Sequence, residues 1–371
     1  MRKGYGVRRS AVRTASRRCS IIAGMACTLF ALLAPSAMAR PAEPNGAPVV
    51  LRIAGGAGGL GFDDMGYSRA LGRILIPAAG SGNLVLVNPA GNHMTVLRRI
   101  APPARGDVGS HDAGTTSASF GAGLIFASDH PQQQLLAVSP RTGDVVARVD
   151  LASQPDYVRW VGPLRQVWVT EPHARQIERF ALTGGQVPSF RRLGVVSVAH
   201  GPESLVIDRA NGMAYANRWQ GATVGIPLRD PHVAQILPNS CKGSRGLALD
   251  TSDQTLFVGC AEGEVVALDL DHQGAVISRA PVGKGVDIIA WNPTLRHVYA
   301  PGSKAATLSV LSYDSTRLRP IRTLPAAVGS HCVTTDGRAE VYVCDPKAGA
   351  ILLYRDHPEA AREQPAGRPQ P

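Results

Sequence analysis

The 371 residues are poor in aromatics, at 5%, and in charge, at 18%. No run of useful length repeats apolar residues every 3.6 positions, which excludes helical bundles and helical solenoids. No glycine-rich phosphate loop is present: Gly55-Gly56-Ala57-Gly58-Gly59 leads into a strand, whereas a nucleotide cradle opens a helix. No two cysteines have the two-residue spacing of a zinc knuckle. Acidic residues are missing from positions 1 to 39, which hold seven of the 39 basic residues, so the rest of the chain carries 32 basic against 28 acidic residues. The formal charge of +11 is therefore mostly a property of the N-terminus and gives no strong nucleic-acid signal. The pairs Arg98-Arg99 and Arg191-Arg192, near outer strands, are expected on a solvated rim.

Long apolar runs are also lacking, apart from Ile21 to Leu33, which is shorter than the ~20 residues a membrane helix needs. It follows a basic stretch and precedes Ala37-Met38-Ala39, the order of a signal peptide and its cleavage site. Residues 1–39 are expected to be removed and the mature protein to be periplasmic or secreted, with no membrane span after signal removal. Arg17-Arg18 leaves twin-arginine export open beside the general route. Cys19 and Cys27 would leave with the leader, and Cys241, Cys260, Cys332 and Cys344 would remain for two disulfides in an oxidising compartment.

What is abundant is turn-forming residues, 40 Gly and 28 Pro, and they punctuate a repeat. Short apolar segments centred on Leu75, Phe126, Trp168, Tyr215, Phe257, Tyr299 and Tyr342 recur at separations of 51, 42, 47, 42, 42 and 43 residues. Before each lies a segment ending in a polar turn (Asp208 to Asn211, Asp250 to Asp253, Asn292 to Thr294, Thr335 to Arg338). After each comes an alternating run such as Leu84-Val85-Leu86-Val87, and then a weaker fourth segment such as Val145 to Val149. Four short strands per unit and seven units predict an all-β, seven-bladed propeller of antiparallel blades over 40–358, followed by a disordered tail at 359–371. The last unit has three strands. The spare segment Pro48 to Ile53 is expected to pair with it and close the ring, which removes two exposed edges. The repeat also selects the cysteine pairing: Cys241 with Cys260 and Cys332 with Cys344, each inside one blade.

Val167-Trp168-Val169-Thr170-Glu171, Val341-Tyr342-Val343-Cys344-Asp345 and Leu256-Phe257-Val258-Gly259, each followed by an apolar strand and a turn, resemble the motifs of the YVTN-repeat family of bacterial seven-bladed propellers. The resemblance covers essentially the whole mature chain. It departs from the pattern at Ala in the third motif position of several blades and in lacking a consistent Asn after it. It implies an exported propeller; similar ones include periplasmic binding proteins, non-catalytic subunits of amine dehydrogenases, and lactone hydrolases or lyases.

Sites on such rings lie where the loops entering the innermost strands converge. The residue twelve before each centre, eleven in the last unit, gives Asp63, Gly114, Asp156, Glu203, Arg245, Asp287 and His331, with Asp64, His111 and His200 nearby. Equivalent positions face one axis, so four carboxylates, one arginine and one histidine are expected around one opening. Crowded carboxylates raise one another's pKa or recruit a cation such as Ca²⁺; otherwise they only solvate a water-filled mouth. A catalytic pairing would use Glu203 with His200 or His331, as in a metal-assisted lactone hydrolase or lyase. The expected role is a binding or scaffold module, a monomer, with a protein, peptide or small-molecule ligand at the channel mouth. His130, His173 and His297 are isolated and expected at the surface.

Overall fold

The computed structural model describes residues 46–103, 113–185 and 187–358. The leader, the C-terminal tail from residue 359 and His111 lie outside them. The described residues form seven four-stranded antiparallel sheets. Their innermost strands are Gly66–Ser68, Ala118–Gly121, Val158–Val161, Glu203–Asp208, Ser244–Asp250, Ala290–Asn292 and Val333–Thr335, which open blades 1 to 7 in chain order. Blade 7 borrows its outermost strand from the start of the chain: Val49–Arg52 pairs with Ala350–Arg355 in the register Val49 to Leu353 and Arg52 to Ala350. The closure expected from the strand count is the one observed. No helix among the described residues is long and apolar enough to cross a membrane.

The polar turns work through an Asp or Asn at or next to their first residue. Asp208 Oδ1 accepts the N–H groups of Ala210 and Asn211 at 3.1 and 3.2 Å, and Asn292 Oδ1 those of Thr294 and Leu295 at 3.0 and 3.2 Å. Asp250 and Asp336 do the same for Ser252 and Arg338. A short acceptor two residues ahead of the amide holds the chain in a tight turn, so an innermost strand reverses into the next.

The central residue of each repeat sits on the second strand and is buried against the following blade. The ring of Phe126 stacks on Trp160 of blade 3 at 5.2 Å, and that of Phe257 meets Trp291 and Tyr313 of blade 6, each at 5.0 Å. Tyr342 uses its hydroxyl as well, donating to Asn92 Oδ1 of blade 1 at 2.8 Å across the ring closure. Aromatic area buried between wedges is thus the adhesive between blades, and the tyrosines add a polar tether where one end of the ring meets the other. His297 belongs to this interior and not to the surface: it is 2% exposed, with Nδ1 2.7 Å from Asp356 Oδ2.

Candidate functional site at the channel entrance

Asp63, Asp156, Glu203, Arg245, Asp287 and His331 all lie within three residues of the start of an innermost strand or on its first two residues, so the fold brings them to one end of the channel. Blade 2 contributes no side chain there. Gly114 has φ +62°, and a Cβ on it would lie 1.9 Å from the carbonyl oxygen of Ala79, so only glycine fits where the two backbones touch.

The carboxylates feel one another. Burial pushes Asp63 well above the usual carboxylate range, and Asp287 and Glu203 push it further while His331 opposes them. Asp156 is raised by burial and then by Asp63, Glu203 and Asp287. Burial, then Asp287, raises Glu203 to about 7, against the pull of Arg245, whose guanidinium donates to Glu203 Oε2 at 3.0 Å. The arrangement is a carboxyl-lined collar that retains protons, with one internal guanidinium partner.

Behind the collar, Asp64 is 4% exposed and gripped by Arg159 through both carboxylate oxygens, with Ser117 Oγ donating at 2.6 Å. Arg159 is held in turn by the carbonyl of Leu205 at 2.8 Å and lies over the ring of Tyr157. This pair links blades 1, 2, 3 and 4 and heads a cavity of about 350 Å³ that runs along the innermost strands to Pro293 and Gly337. The sequence placed Asp64 near the ring and gave no reason to choose its partner. Only the alternation of Val158–Val161, which turns Arg159 toward the axis, could have indicated it.

His331 differs from a histidine that moves protons. Its Nδ1 lies 2.6 Å from the carbonyl oxygen of Gly329 and its Nε2 2.8 Å from that of Phe62. Carbonyl oxygens only accept, so both nitrogens donate and the ring is a cation. Burial would lower its pKa, but Cys344 and Asp287 outweigh burial and hold it at about 11. With both lone pairs committed, His331 holds a proton and does not take one from a substrate. His200, the other histidine considered for that role, is exposed, and among the described residues no hydrogen bond joins its ring to Glu203.

The cysteines divide. Cys241 and Cys260 are bonded, with Cα atoms 5.3 Å apart, as expected. Cys332 and Cys344 are not: both are free and fully buried, which corrects the second expected bridge. They do face each other, since the Cys344 amide donates to the Cys332 carbonyl at 3.1 Å. The Cys344 sulfur accepts the amides of Cys332 and His331, at 3.1 and 3.4 Å, and lies 3.8 Å from His331 Nδ1. Burial would raise its thiol, yet the Cys332 thiol donating to it and the imidazolium beside it hold it well below the usual thiol range.

No protein-family model matches the chain, and no curated protein matches it. Solved structures do. A chain from the crystal structure of the mitotic checkpoint complex is 13% identical with a TM-score of 0.69, over 90% of this chain and 99% of that one. Hydrazine synthase of Kuenenia stuttgartiensis is 10% identical with a TM-score of 0.63, over 81% and 96%. The β-propeller domain of Myceliophteria thermophila Cps50 (Swd1) is 14% identical with a TM-score of 0.63, over 83% and 99%. At these identities the likeness establishes the fold alone. The chain is a seven-bladed β-propeller.

Proposed function

We propose that this chain is an exported propeller of the YVTN-repeat kind, a binding module whose channel-entrance collar takes a cationic ligand, either a divalent cation such as Ca²⁺ or the positive group of a protein or peptide partner. One observation carries the reading: Asp63, Asp156 and Glu203 are each raised by burial and by neighbouring carboxylates, Asp287 among them, around an opening where Arg245 is the only guanidinium at a repeat position. Such a cluster relaxes when a cation replaces the shared protons. The cleavable leader pattern and the bonded Cys241 and Cys260 support export. Propellers from the mitotic checkpoint complex and Cps50 support a partner-binding role by analogy of fold.

Calorimetric titration of the purified mature chain with Ca²⁺ tests the reading. The expected result is saturable binding that strengthens from pH 6 to pH 8 as Glu203 ionises, and that disappears in Glu203→Gln with Asp287→Asn. If neither Ca²⁺ nor a lysine- or arginine-rich peptide binds, or if binding is unchanged in the double variant, the collar only solvates the mouth.

A further inference from the structure

The collar does not account for the three groups beneath its blade 7 edge. His331, Cys332 and Cys344 bring one imidazole nitrogen and two sulfurs within 4.8 Å of one another. We propose that these three residues form a closed binding site for a soft monovalent metal ion, Cu(I), held by two thiolates and one imidazole. The site adjoins the collar, since His331 fills the blade 7 repeat position beside Asp63, but holding Cu(I) does not require the collar to bind Ca²⁺.

Three features carry the assignment. The first is the span of the ligands. Thiolate and imidazole bonds of ~2.3 and ~2.1 Å put sulfur and nitrogen about 3.8 Å apart in a trigonal set and about 3.6 Å apart in a tetrahedral one. The Cys344 sulfur lies 3.8 Å from His331 Nδ1, the trigonal value. The second is softness. Two sulfurs and an imidazole select Cu(I) over Ca²⁺ or Mg²⁺, whose oxygen ligands are in the collar. The third is enclosure. Both cysteines are 0% exposed and His331 is 6% exposed, which leaves little access for the water that completes a four-coordinate zinc site. Three-coordination suits Cu(I) and leaves zinc short of a ligand.

The neighbours fit the part. The Cys332 and His331 amides already point at the Cys344 sulfur, so they would serve as outer donors to a metal-bound thiolate. His331 Nε2 donates to the Phe62 carbonyl at 2.8 Å, which anchors the ring, while Nδ1, bonded to the Gly329 carbonyl at 2.6 Å, lies 3.8 Å from the Cys344 sulfur and would exchange that carbonyl for the metal. Loading replaces protons and leaves oxidation states unchanged. One Cu⁺ enters, the imidazolium loses the Nδ1 proton that now bonds Gly329, and the Cys332 thiol loses its own. The site thereby changes from neutral to a single negative charge. The carboxyl-lined collar beside it offers the approach, since an acidic mouth favours cations that can displace its protons.

The test uses the full mature chain, reduced mildly under anaerobic conditions and titrated with Cu(I) against a coloured Cu(I) chelator. One equivalent should bind, and X-ray absorption at the copper edge should show two sulfur ligands and one nitrogen. Cys332→Ser and Cys344→Ser should each weaken binding at least tenfold. If those variants fail to fold, alkylation and peptide mapping of the unaltered chain replace them: Cu(I) should protect Cys332 and Cys344 from the reagent. Sub-stoichiometric binding, oxygen-only coordination, unprotected thiols, Zn²⁺ bound as tightly as Cu(I), or a Cys332–Cys344 disulfide that survives the mild reduction would each overturn the proposal. Titrating Ca²⁺ into the same sample reads the collar separately, so the two claims can fail independently.

Discussion

Blades 5 and 7 each carry two cysteines, one of them on the second strand, yet one pair is bonded and the other free. The difference is one residue of register. Cys260 lies three residues after its repeat centre, Phe257, whereas Cys344 lies two after Tyr342. Successive side chains of a strand point to opposite faces, so the two sulfurs leave their blades on opposite sides. Cys260 shares a face with Leu256 and Val258 and meets Cys241, which packs in the same cluster beside blade 4. The registers Leu247 to Val258 and Val333 to Val343 show which blade 5 residues correspond to Cys332 and Cys344. They are Gly246 and Gly259, where a Cβ would come within 3 Å of blade 6. The residue equivalent to Cys344 in blades 2 and 3 is a hydroxyl: Ser128 Oγ accepts the amides of Thr116 and Ser117, both at 3.0 Å, and Thr170 Oγ1 that of Tyr157 at 2.7 Å. Cys344 thus occupies a hydroxyl's place at the head of the innermost strand. Cys260 occupies a bridging place.

The largest expected effect breaks the bonded pair. Cys241→Ser should cost about 3 kcal/mol in urea unfolding, the amount a cross-link over a 19-residue separation withholds from the unfolded chain. A loss under about 1 kcal/mol would mean the bridge is not formed in the protein. Cys344→Val comes next. It keeps the size but leaves the amides of Cys332 and His331 without their acceptor, and orphaned buried donors cost about 1–3 kcal/mol. A loss of about 2 kcal/mol in the same assay is expected. A Cys344→Val protein as stable as the parent would show that the sulfur caps nothing.

The contrast also separates what the residues disclose from what they do not. Seven centres at near-constant spacing, polar turns opened by Asp or Asn, and a spare strand ahead of a three-stranded last unit were enough to place the blades and the ring closure, because each is a local pattern repeated. The collar followed for the same reason: a repeat position in a closed ring becomes a circle. The thiol pairing did not follow. Cys332 and Cys344 are across from each other as the hairpin at Gly337 requires, but adjacency left open whether the two sulfurs bond covalently or one of them accepts the other's thiol and the backbone amides. That choice depends on His331, whose cationic state rests on carbonyls of Gly329 and Phe62 that no residue pattern reveals. His297 escaped for a related reason, since its partner Asp356 lies 59 residues away, past the last strand.

A smaller effect compares the collar with itself at two pH values. Glu203 is raised from the usual carboxylate range to about 7 by burial and Asp287. The folded state therefore keeps a proton that the unfolded chain gives up above about pH 4.5. The stability from that proton is complete below about 4.5 and is lost as pH rises to about 7. Glu203→Gln should flatten this decline by on the order of 1–2 kcal/mol between pH 4.5 and 7, less than the full shift because the mouth is open to water. If the variant declines as steeply as the parent, Glu203 ionises freely and the collar is looser than its geometry indicates.

The smallest expected effect is the sharpest for the two pairs. Cys344→Ser puts in blade 7 the hydroxyl that blade 2 has in Ser128, and a serine oxygen can accept the same two amides. Its cost in unfolding should stay under about 1 kcal/mol, since the shape changes little and the acceptor is kept. Cys260→Ser, the same exchange in blade 5, should cost about as much as Cys241→Ser because it also removes the cross-link. One substitution at two positions on equivalent strands would then differ by roughly 2 kcal/mol, read from unfolding midpoints at a common urea slope. Equal costs at the two positions would mean that blade 7 is bridged like blade 5, and that Cys344 does not stand in a hydroxyl's place.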